Sequence, residues 1–164
     1  MQIGAHSAQH RSRNMTKRPR GQGRKSRKPA KRKTRVKLLA VGHDVIDAGH
    51  ETIGECCDRI AESDSGAIEA QLQRLRSLLA HHFQNEELLL KAAGSSLCGC
   101  HALDHRIMLA LCDRAIRSAT DGDGKSRKVI IKELVPALRK HIAYRDQLIA
   151  LYLNTLDTPP VLHS

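Results

Sequence analysis

The sequence predicts an all-α protein, an antiparallel up-down-up-down four-helix bundle that follows a disordered basic N-terminal tail. Apolar residues recur every three or four positions in four segments, and residues that favour turns separate these segments. No segment alternates apolar and polar residues over a sustained run. Aromatic residues make up only 2% of the chain, which disfavours a β-sandwich and base stacking on aromatic rings. Four helices joined by short turns are typical of a bundle.

The first 36 residues are predicted to form the disordered tail, and residues 37–164 to form one helical domain. Residues 1–37 contain 14 of the 28 Lys and Arg residues and no Asp or Glu. The rest of the chain has 14 basic and 17 acidic residues, a balance of 14 − 17 = −3, so the tail is the source of the positive net charge of +11. A segment with dense like charge and few apolar residues cannot bury enough surface to become ordered. The tail is either an arm that binds nucleic acid or another polyanion, or a solvated extension without a role.

The four segments each carry an apolar stripe with helical spacing. They cover residues 45–60, 67–93, 98–119 and 127–153. The turns between them contain Gly66, Gly94 and the glycines of residues 121–124.

Polar residues interrupt these stripes at positions that should face the bundle core. His50 lies in the first stripe, His82 and Glu86 lie in the middle of the second, and His101 and His105 begin the third. Burying such side chains without partners costs several kcal/mol, and the carboxylate is the most costly. A metal ion bound by neutral imidazoles and carboxylates offsets this cost.

The spacing of these residues supports a shared site. His82 and Glu86, like His101 and His105, are four residues apart, which brings both members of a pair to one side of a helix. His141 could add a further ligand, and so could Asp146. Their spacing of five places them about 140° apart on a regular helix. Either they reach the site from two flanks, or the helix contains a π-bulge there.

The candidate metal ligands are five imidazoles and two carboxylates: His50, His82, Glu86, His101, His105, His141 and Asp146. One octahedral ion cannot use all seven, so two metal ions bridged by carboxylates are indicated. A nitrogen-rich ligand set favours iron, copper or zinc over magnesium or calcium. The alternative is a polar core whose histidines find partners within the protein, or helix faces that point outward.

Four motifs resemble those of the hemerythrin family, especially the single-domain bacteriohemerythrins. They are Val41-Gly42 followed by Ile46-Asp47-Ala48-Gly49-His50, then His82-Phe83-Gln84-Asn85-Glu86-Glu87, His101-x3-His105 and His141-Ile142-x3-Asp146. The resemblance covers roughly residues 41–153 and leaves out the tail. It implies a non-haem di-iron protein that binds O2 reversibly, for storage, delivery or scavenging.

The resemblance also implies the roles of the ligands. Two iron ions are expected, joined by an oxo or hydroxo bridge and by Glu86 and Asp146. Three histidines match the ligands of one iron, namely His101, His105 and His141. His50 and His82 match those of the other, five-coordinate iron, where O2 binds.

The resemblance further places five residues in the O2 pocket. Ile53, Phe83 and Leu138 match its expected apolar lining. Ala137 stands where the family commonly has Trp, and Ala143 where it commonly has Leu. These smaller side chains predict easier access for water and small anions. We therefore expect faster autoxidation than is typical of the family.

The cysteines and the hydropathy pattern predict the cellular environment. The chain has five cysteines, an odd number, and its first 30 residues contain no apolar core of a secretory signal. Free thiols and a cytoplasmic location are expected, with Cys98 and Cys100 as loop thiols and a redox pair beside His101 as the alternative. No apolar run reaches the roughly 18 residues that span a membrane.

Three classes of function follow from these observations. The expected one is O2 binding without turnover, so the protein is not expected to be an enzyme. One alternative is an oxygen or redox sensor that acts through a partner or through the basic tail. The other is a di-iron enzyme that handles peroxide or NO, which the smaller pocket residues favour.

Overall fold

The described residues contain four helical stretches. The computed structural model describes residues 35–96 and 98–157, and within these ranges every regular element is helical. The first three stretches are α1 (Asp44–Glu62), α2 (Ile68–Ala92) and α3 (Gly99–Thr120). The fourth stretch consists of α4 (Ser126–Val129), π1 (Ile130–Leu134), α5 (Val135–His141), π2 (Ile142–Asp146) and α6 (Gln147–Asp157). The prediction of an all-α protein with four helical segments is confirmed.

Glycines with positive φ end two of the helices. Gly94 follows α2 with φ 71° and donates to Lys91 O, while Ser95 donates to Leu90 O at 2.8 Å. Gly122 has φ 69° and follows α3 in a similar way. Residues with a Cβ rarely adopt this conformation, so glycine at these two positions allows the chain to leave the helix within a few residues.

The two π-helices interrupt only the fourth stretch. π1 comes just before Pro136, which has no N–H to donate to a carbonyl one helical turn back. π2 lies between His141 and Asp146. No described helix is both long enough and apolar enough to cross a membrane.

Apolar residues form two separate buried clusters. The larger cluster includes Ile53, Leu79, Phe83 and Ile142, and the smaller cluster consists of Ile46, Leu90, Ile149 and Leu153. Each of α1, α2 and the fourth stretch contains residues of both clusters. His50, Glu86 and Asp146 fall between the two sets of apolar positions, and His82 and His141 lie at the adjoining end of the larger set.

Side-chain contacts show that α3 and the fourth stretch run in opposite directions: later residues of α3 contact earlier residues of the fourth stretch. Asp104 accepts from Arg145 at 3.2 Å, and further along α3 Arg114 pairs with Glu133. This pattern is expected of antiparallel neighbours. Four packed helices fit a bundle, and the up-down-up-down order stays a prediction.

An extended segment, residues 35–42, packs on α1 and is called the N-terminal strap below. The Val36 N–H donates to Asp58 at 2.7 Å, and both Val41 and Gly42 donate to the carboxylate of Asp47. Gly54 makes this contact possible, because a Cβ there would lie 2.9 Å from Val36 O. The strap includes Val36, which the prediction assigned to the tail. Residues 1–34 lie outside the described residues, and their predicted disorder stays a prediction.

The prediction of five free thiols is wrong for two of the cysteines. Cys98 and Cys100 form a disulfide, with their Cα atoms 5.4 Å apart. Cys98 caps α3, and its Sγ accepts the N–H of His101 at 3.3 Å. The turn into the helix brings the two Cα atoms into the range that a disulfide requires, which spacing in the sequence does not show.

The other three cysteines are expected to be unreactive in the folded protein. Cys56, Cys57 and Cys112 are free and buried, and burial raises the pKa of Cys57 and Cys112 to about 12. At pH 8 these two thiols carry almost no thiolate, the reactive form. Mass spectrometry after iodoacetamide treatment should find them unmodified until a denaturant unfolds the protein. Rapid labelling of the native protein at these positions would contradict the structure.

Candidate metal centre

The structure brings all seven predicted ligands together in one buried cluster. The least buried of them, His105, is 7% exposed, and Glu86 and Asp146 are fully buried. Each helical stretch contributes: His50 comes from α1, His82 and Glu86 from α2, His101 and His105 from α3, and His141 and Asp146 from the fourth stretch. The alternative of helix faces that point outward is thereby excluded for these residues.

The π-helix π2 explains how His141 and Asp146 share the cluster. Both ends of the five-residue interval point inward because the backbone between them follows the wider i→i+5 pattern. His141 Nε2 lies 3.0 Å from Asp146 Oδ1. Of the two possibilities that the sequence left open, the π-bulge is confirmed.

The two oxygens of Glu86 face different histidines. Oε1 lies 2.9 Å from His82 Nε2. Oε2 lies 3.2 Å from His105 Nε2 and 3.3 Å from His101 Nε2. The carboxylate therefore stands between an imidazole on its own helix and two imidazoles of α3.

The carboxylate of Asp146 is divided in the same way. Oδ2 lies 3.1 Å from His50 Nε2, and Oδ1 lies 3.0 Å from His141 Nε2 and 3.6 Å from His101 Nε2. Together the two carboxylates separate the imidazoles into two groups. One group contains His101, His105 and His141, and the other contains His50 and His82.

Several atoms of the cluster lack a hydrogen-bond partner among the described residues. One is Nδ1 of His141, and the other four are both oxygens of Glu86, Oδ1 of Asp146 and Nε2 of His101. Buried polar atoms without hydrogen bonds are rare and costly, yet these four lie close together with their lone pairs available. Two sets of ligand atoms lie within 4.8 Å of one another: Glu86, His101, His105 and His141, and His50, His82, Glu86 and Asp146. The residues fit a pair of metal ions that share Glu86.

The electrostatics of the cluster suit metal ligands. Burial raises the pKa of Glu86, but the imidazoles of His101, His105 and His82 outweigh it and hold the pKa below its ordinary value. Burial likewise raises the pKa of Asp146, and His141 and His50 bring it down. Burial lowers the pKa of His105. Burial also lowers the pKa of His141, but the Asp146 carboxylate outweighs it and holds this pKa above its ordinary value. Ionised carboxylates and a neutral imidazole are the protonation states in which these side chains bind metal ions.

One imidazole is held from behind by a group outside the cluster. His50 Nδ1 lies 3.1 Å from the carbonyl oxygen of Leu39 in the N-terminal strap. Such an outer partner fixes the ring so that the other nitrogen faces the cluster. Behind His141, Nδ1 lies 3.6 Å from Asp104 Oδ2, which is beyond hydrogen-bond distance, and Arg145 donates to that oxygen. Sequence reasoning missed the Leu39 contact, because a backbone carbonyl has no sequence signal.

A glycine of α1 makes room for one of the imidazoles. A Cβ at position 49 would overlap with Nδ1 of His82. Gly49 is part of the first sequence motif, but the sequence did not show this role, since the close approach depends on how α1 and α2 pack.

The family model described as the hemerythrin HHE cation binding domain matches residues 34–153. The chain belongs to the hemerythrin family. Bacteriohemerythrin from Ralstonia nicotianae (strain ATCC BAA-1114 / GMI1000) is 25% identical over 115 residues, which are 70% of this chain and 84% of that protein. No solved structure is significantly similar to the chain. The resemblance of the four motifs is thus confirmed at the level of the family, and the matched region contains all seven clustered residues.

Apolar residues of this hemerythrin-family domain pack beside the cluster. Ile53, Phe83 and Leu138 are buried in the larger apolar cluster, and the Phe83 ring stacks on His105 with 3.9 Å between ring centroids. Ala143 is half-buried in π2 and is not among the described residues that pack against either apolar cluster. Three of the five predicted pocket residues therefore form a buried apolar wall near the imidazoles.

The position where hemerythrins commonly have Trp opens onto a surface cleft. Ala137 packs against the larger cluster and lines a cleft of about 550 Å³ between α3 and the fourth stretch. His141 is part of the same lining, with Met108 and Tyr144. The small side chain therefore leaves a path from solvent to the outer edge of a clustered imidazole.

Proposed function

We propose that this protein is a non-haem di-iron protein that binds O2 reversibly, for storage, delivery or scavenging, and that it is not an enzyme. One observation carries the proposal: Glu86 and Asp146 each present one oxygen to one group of imidazoles and the other oxygen to the second group. A carboxylate that bridges two metal ions has to do this. Membership of the hemerythrin family supports iron as the metal.

The proposed ligand sets follow this division. His101, His105 and His141 would hold one iron, and His50 and His82 the other, with Glu86 and Asp146 as bridges and a solvent-derived oxo or hydroxo group as a third bridge. The first group has one more imidazole than the second, so an iron held by His50 and His82 would keep a coordination position for O2. When bound, the iron pair supplies the electrons and the coordination position that O2 binding needs.

The protein itself contributes orientation and exclusion of water. The Leu39 carbonyl keeps Nε2 of His50 directed inward. Ile53, Phe83 and Leu138 shield the cluster from solvent. Di-iron enzymes of the ferritin-like type use more carboxylates and Glu-x-x-His motifs. Five imidazoles and two carboxylates favour O2 binding over substrate oxidation.

Metal analysis combined with an oxygen titration tests the proposal. The purified protein should contain two iron ions per chain. After anaerobic reduction, O2 should produce a charge-transfer absorption band that disappears again under argon. A zinc-loaded sample is the matched control and should stay colourless. Absence of iron, or sustained turnover of added peroxide in place of reversible O2 binding, would contradict the proposal.

Filling the cleft beside His141 is expected to slow autoxidation. Ala137→Trp places an indole in the cleft that Ala137 lines, so water and small anions lose a route to the cluster. The lifetime of the oxygenated form should increase several-fold, measured by the decay of its absorption band. Pro136→Ala, at an exposed neighbouring position, is the control for a general effect on the helix. An unchanged lifetime in Ala137→Trp would show that the cleft is not the route. Ala143→Leu tests the second small pocket residue in the same assay.

We also propose a cytoplasmic location and a polyanion-binding role for the basic tail. The three free cysteines in the core support the first, because disulfides dominate in oxidising compartments. The 14 basic residues within residues 1–37 support the second. A gel-retardation assay tests it: the full-length protein should retard DNA at low salt and release it at high salt. Unchanged mobility at low salt would contradict it.

A further inference from the structure

Two cysteines at the start of α3 lie outside the candidate metal centre. We propose that Cys98 and Cys100 form a thiol–disulfide exchange site whose substrates are protein or small-molecule dithiols. The two residues are joined by a disulfide and both are exposed. The other three cysteines are buried and unpaired. Of the five sulfur atoms, an external thiol can therefore reach only this pair without unfolding the protein.

The disulfide contributes little as a structural clamp. It closes a loop with Gly99 as the single intervening residue, and the chain entropy that a disulfide removes decreases with the length of the closed loop. α3 is 22 residues long and packs on α2 through contacts of its own, such as the ion pair of Arg76 with Asp113. Opening the disulfide should therefore leave the fold intact, as a reversible exchange site requires.

The two sulfur atoms have different surroundings, which gives the exchange a direction. Cys98 is the N-cap of α3, and its Sγ accepts the N–H of His101. Negative charge that develops on this sulfur is stabilised by that N–H and by the positive end of the helix dipole. Cys98 is thus the better leaving group, and an incoming thiolate attacks the sulfur of Cys100.

The exchange balances as a two-electron reaction. One thiolate of the dithiol forms a bond to the sulfur of Cys100, the bond between Cys98 and Cys100 breaks, and Cys98 leaves as a thiolate that takes a proton from water. The second thiol of the substrate, after losing its proton, then displaces Cys100 and closes the substrate's own disulfide. The protein gains two thiols, and the dithiol is oxidised by two electrons.

Trapping of the intermediate tests both the site and its direction. Full-length, iron-loaded protein is mixed anaerobically with a small amount of reduced glutathione, quenched with acid and analysed by fragment mass spectrometry. A small amount leaves little glutathione for a second attack, and the acid protonates the Cys98 thiolate before it can expel the bound glutathione, so the trapped mixed disulfide should lie on Cys100. Dithiothreitol under the same native conditions should release two thiols per chain, and circular dichroism should show an unchanged fold.

Two variants serve as controls. Cys100→Ser should release no thiols on treatment with dithiothreitol, whereas Cys112→Ser, which removes a buried thiol, should still release two. Failure to gain thiols in the native protein would overturn the proposal, and glutathione found mainly on Cys98 would overturn the direction of attack. Thiol counts do not depend on iron or O2, so this result stands apart from that of the oxygen titration.

Discussion

Replacing Glu86 by Gln is expected to remove most of the bound iron. Glu86 is fully buried and faces the imidazoles of His82, His101 and His105. A neutral amide of the same size cannot supply the bridging negative charge. Loss of groups that merely orient metal ligands already lowers metal affinity about 10–100-fold, and loss of a bridge should cost at least as much. Iron per chain, measured after gel filtration, should fall well below the content of the unmodified protein.

Glu87→Gln is the matched control for this prediction. Glu87 is the next residue of α2 and is exposed, so the same chemical change there should leave the iron content and the absorption spectrum unchanged. If Glu86→Gln keeps a full complement of iron and an unaltered spectrum, Glu86 is not a bridge. The polar-core alternative, in which the histidines and carboxylates satisfy one another, would then be favoured.

Gly49→Ala is expected to destabilise the iron-loaded protein although it improves helix propensity. Alanine in place of glycine inside a helix ordinarily stabilises by about 0.5–1 kcal/mol. At position 49 the new Cβ would overlap with Nδ1 of His82, so the imidazole or the whole of α2 has to move away from α1. We expect a lower melting temperature, together with partial loss of iron and a changed absorption spectrum.

Gly66→Ala provides the comparison. Gly66 lies in the turn between α1 and α2, and a Cβ at this position would meet only open space, so its substitution should leave both properties unchanged. A Gly49→Ala variant as stable as the unmodified protein, with full iron content, would show that His82 does not need this close approach. Because helix propensity predicts the opposite sign, the melting temperature alone distinguishes the two effects.

Much of the candidate centre could be predicted from the sequence because metal ligands interrupt a regular apolar pattern. His82 and Glu86 stand between leucines of one stripe, and a spacing of four has a fixed meaning on a helix. The same logic failed for Cys98 and Cys100, whose separation depends on how the chain turns into α3. It also stopped at Ala143, where alignment with a position of the family's pattern did not show whether the side chain faces the core.

The sequence by itself indicated most of the buried polar residues, since helical periodicity is a local property that each segment carries independently. It therefore indicated four helices, seven ligands and a nitrogen-rich pair of metal ions. Only the tertiary structure decided which oxygen of Glu86 or Asp146 faces which imidazole, that Gly49 admits His82, and that the carbonyl of Leu39 holds His50. These contacts join residues far apart in the chain, and they depend on helix packing and on the register of π2, which no local pattern encodes.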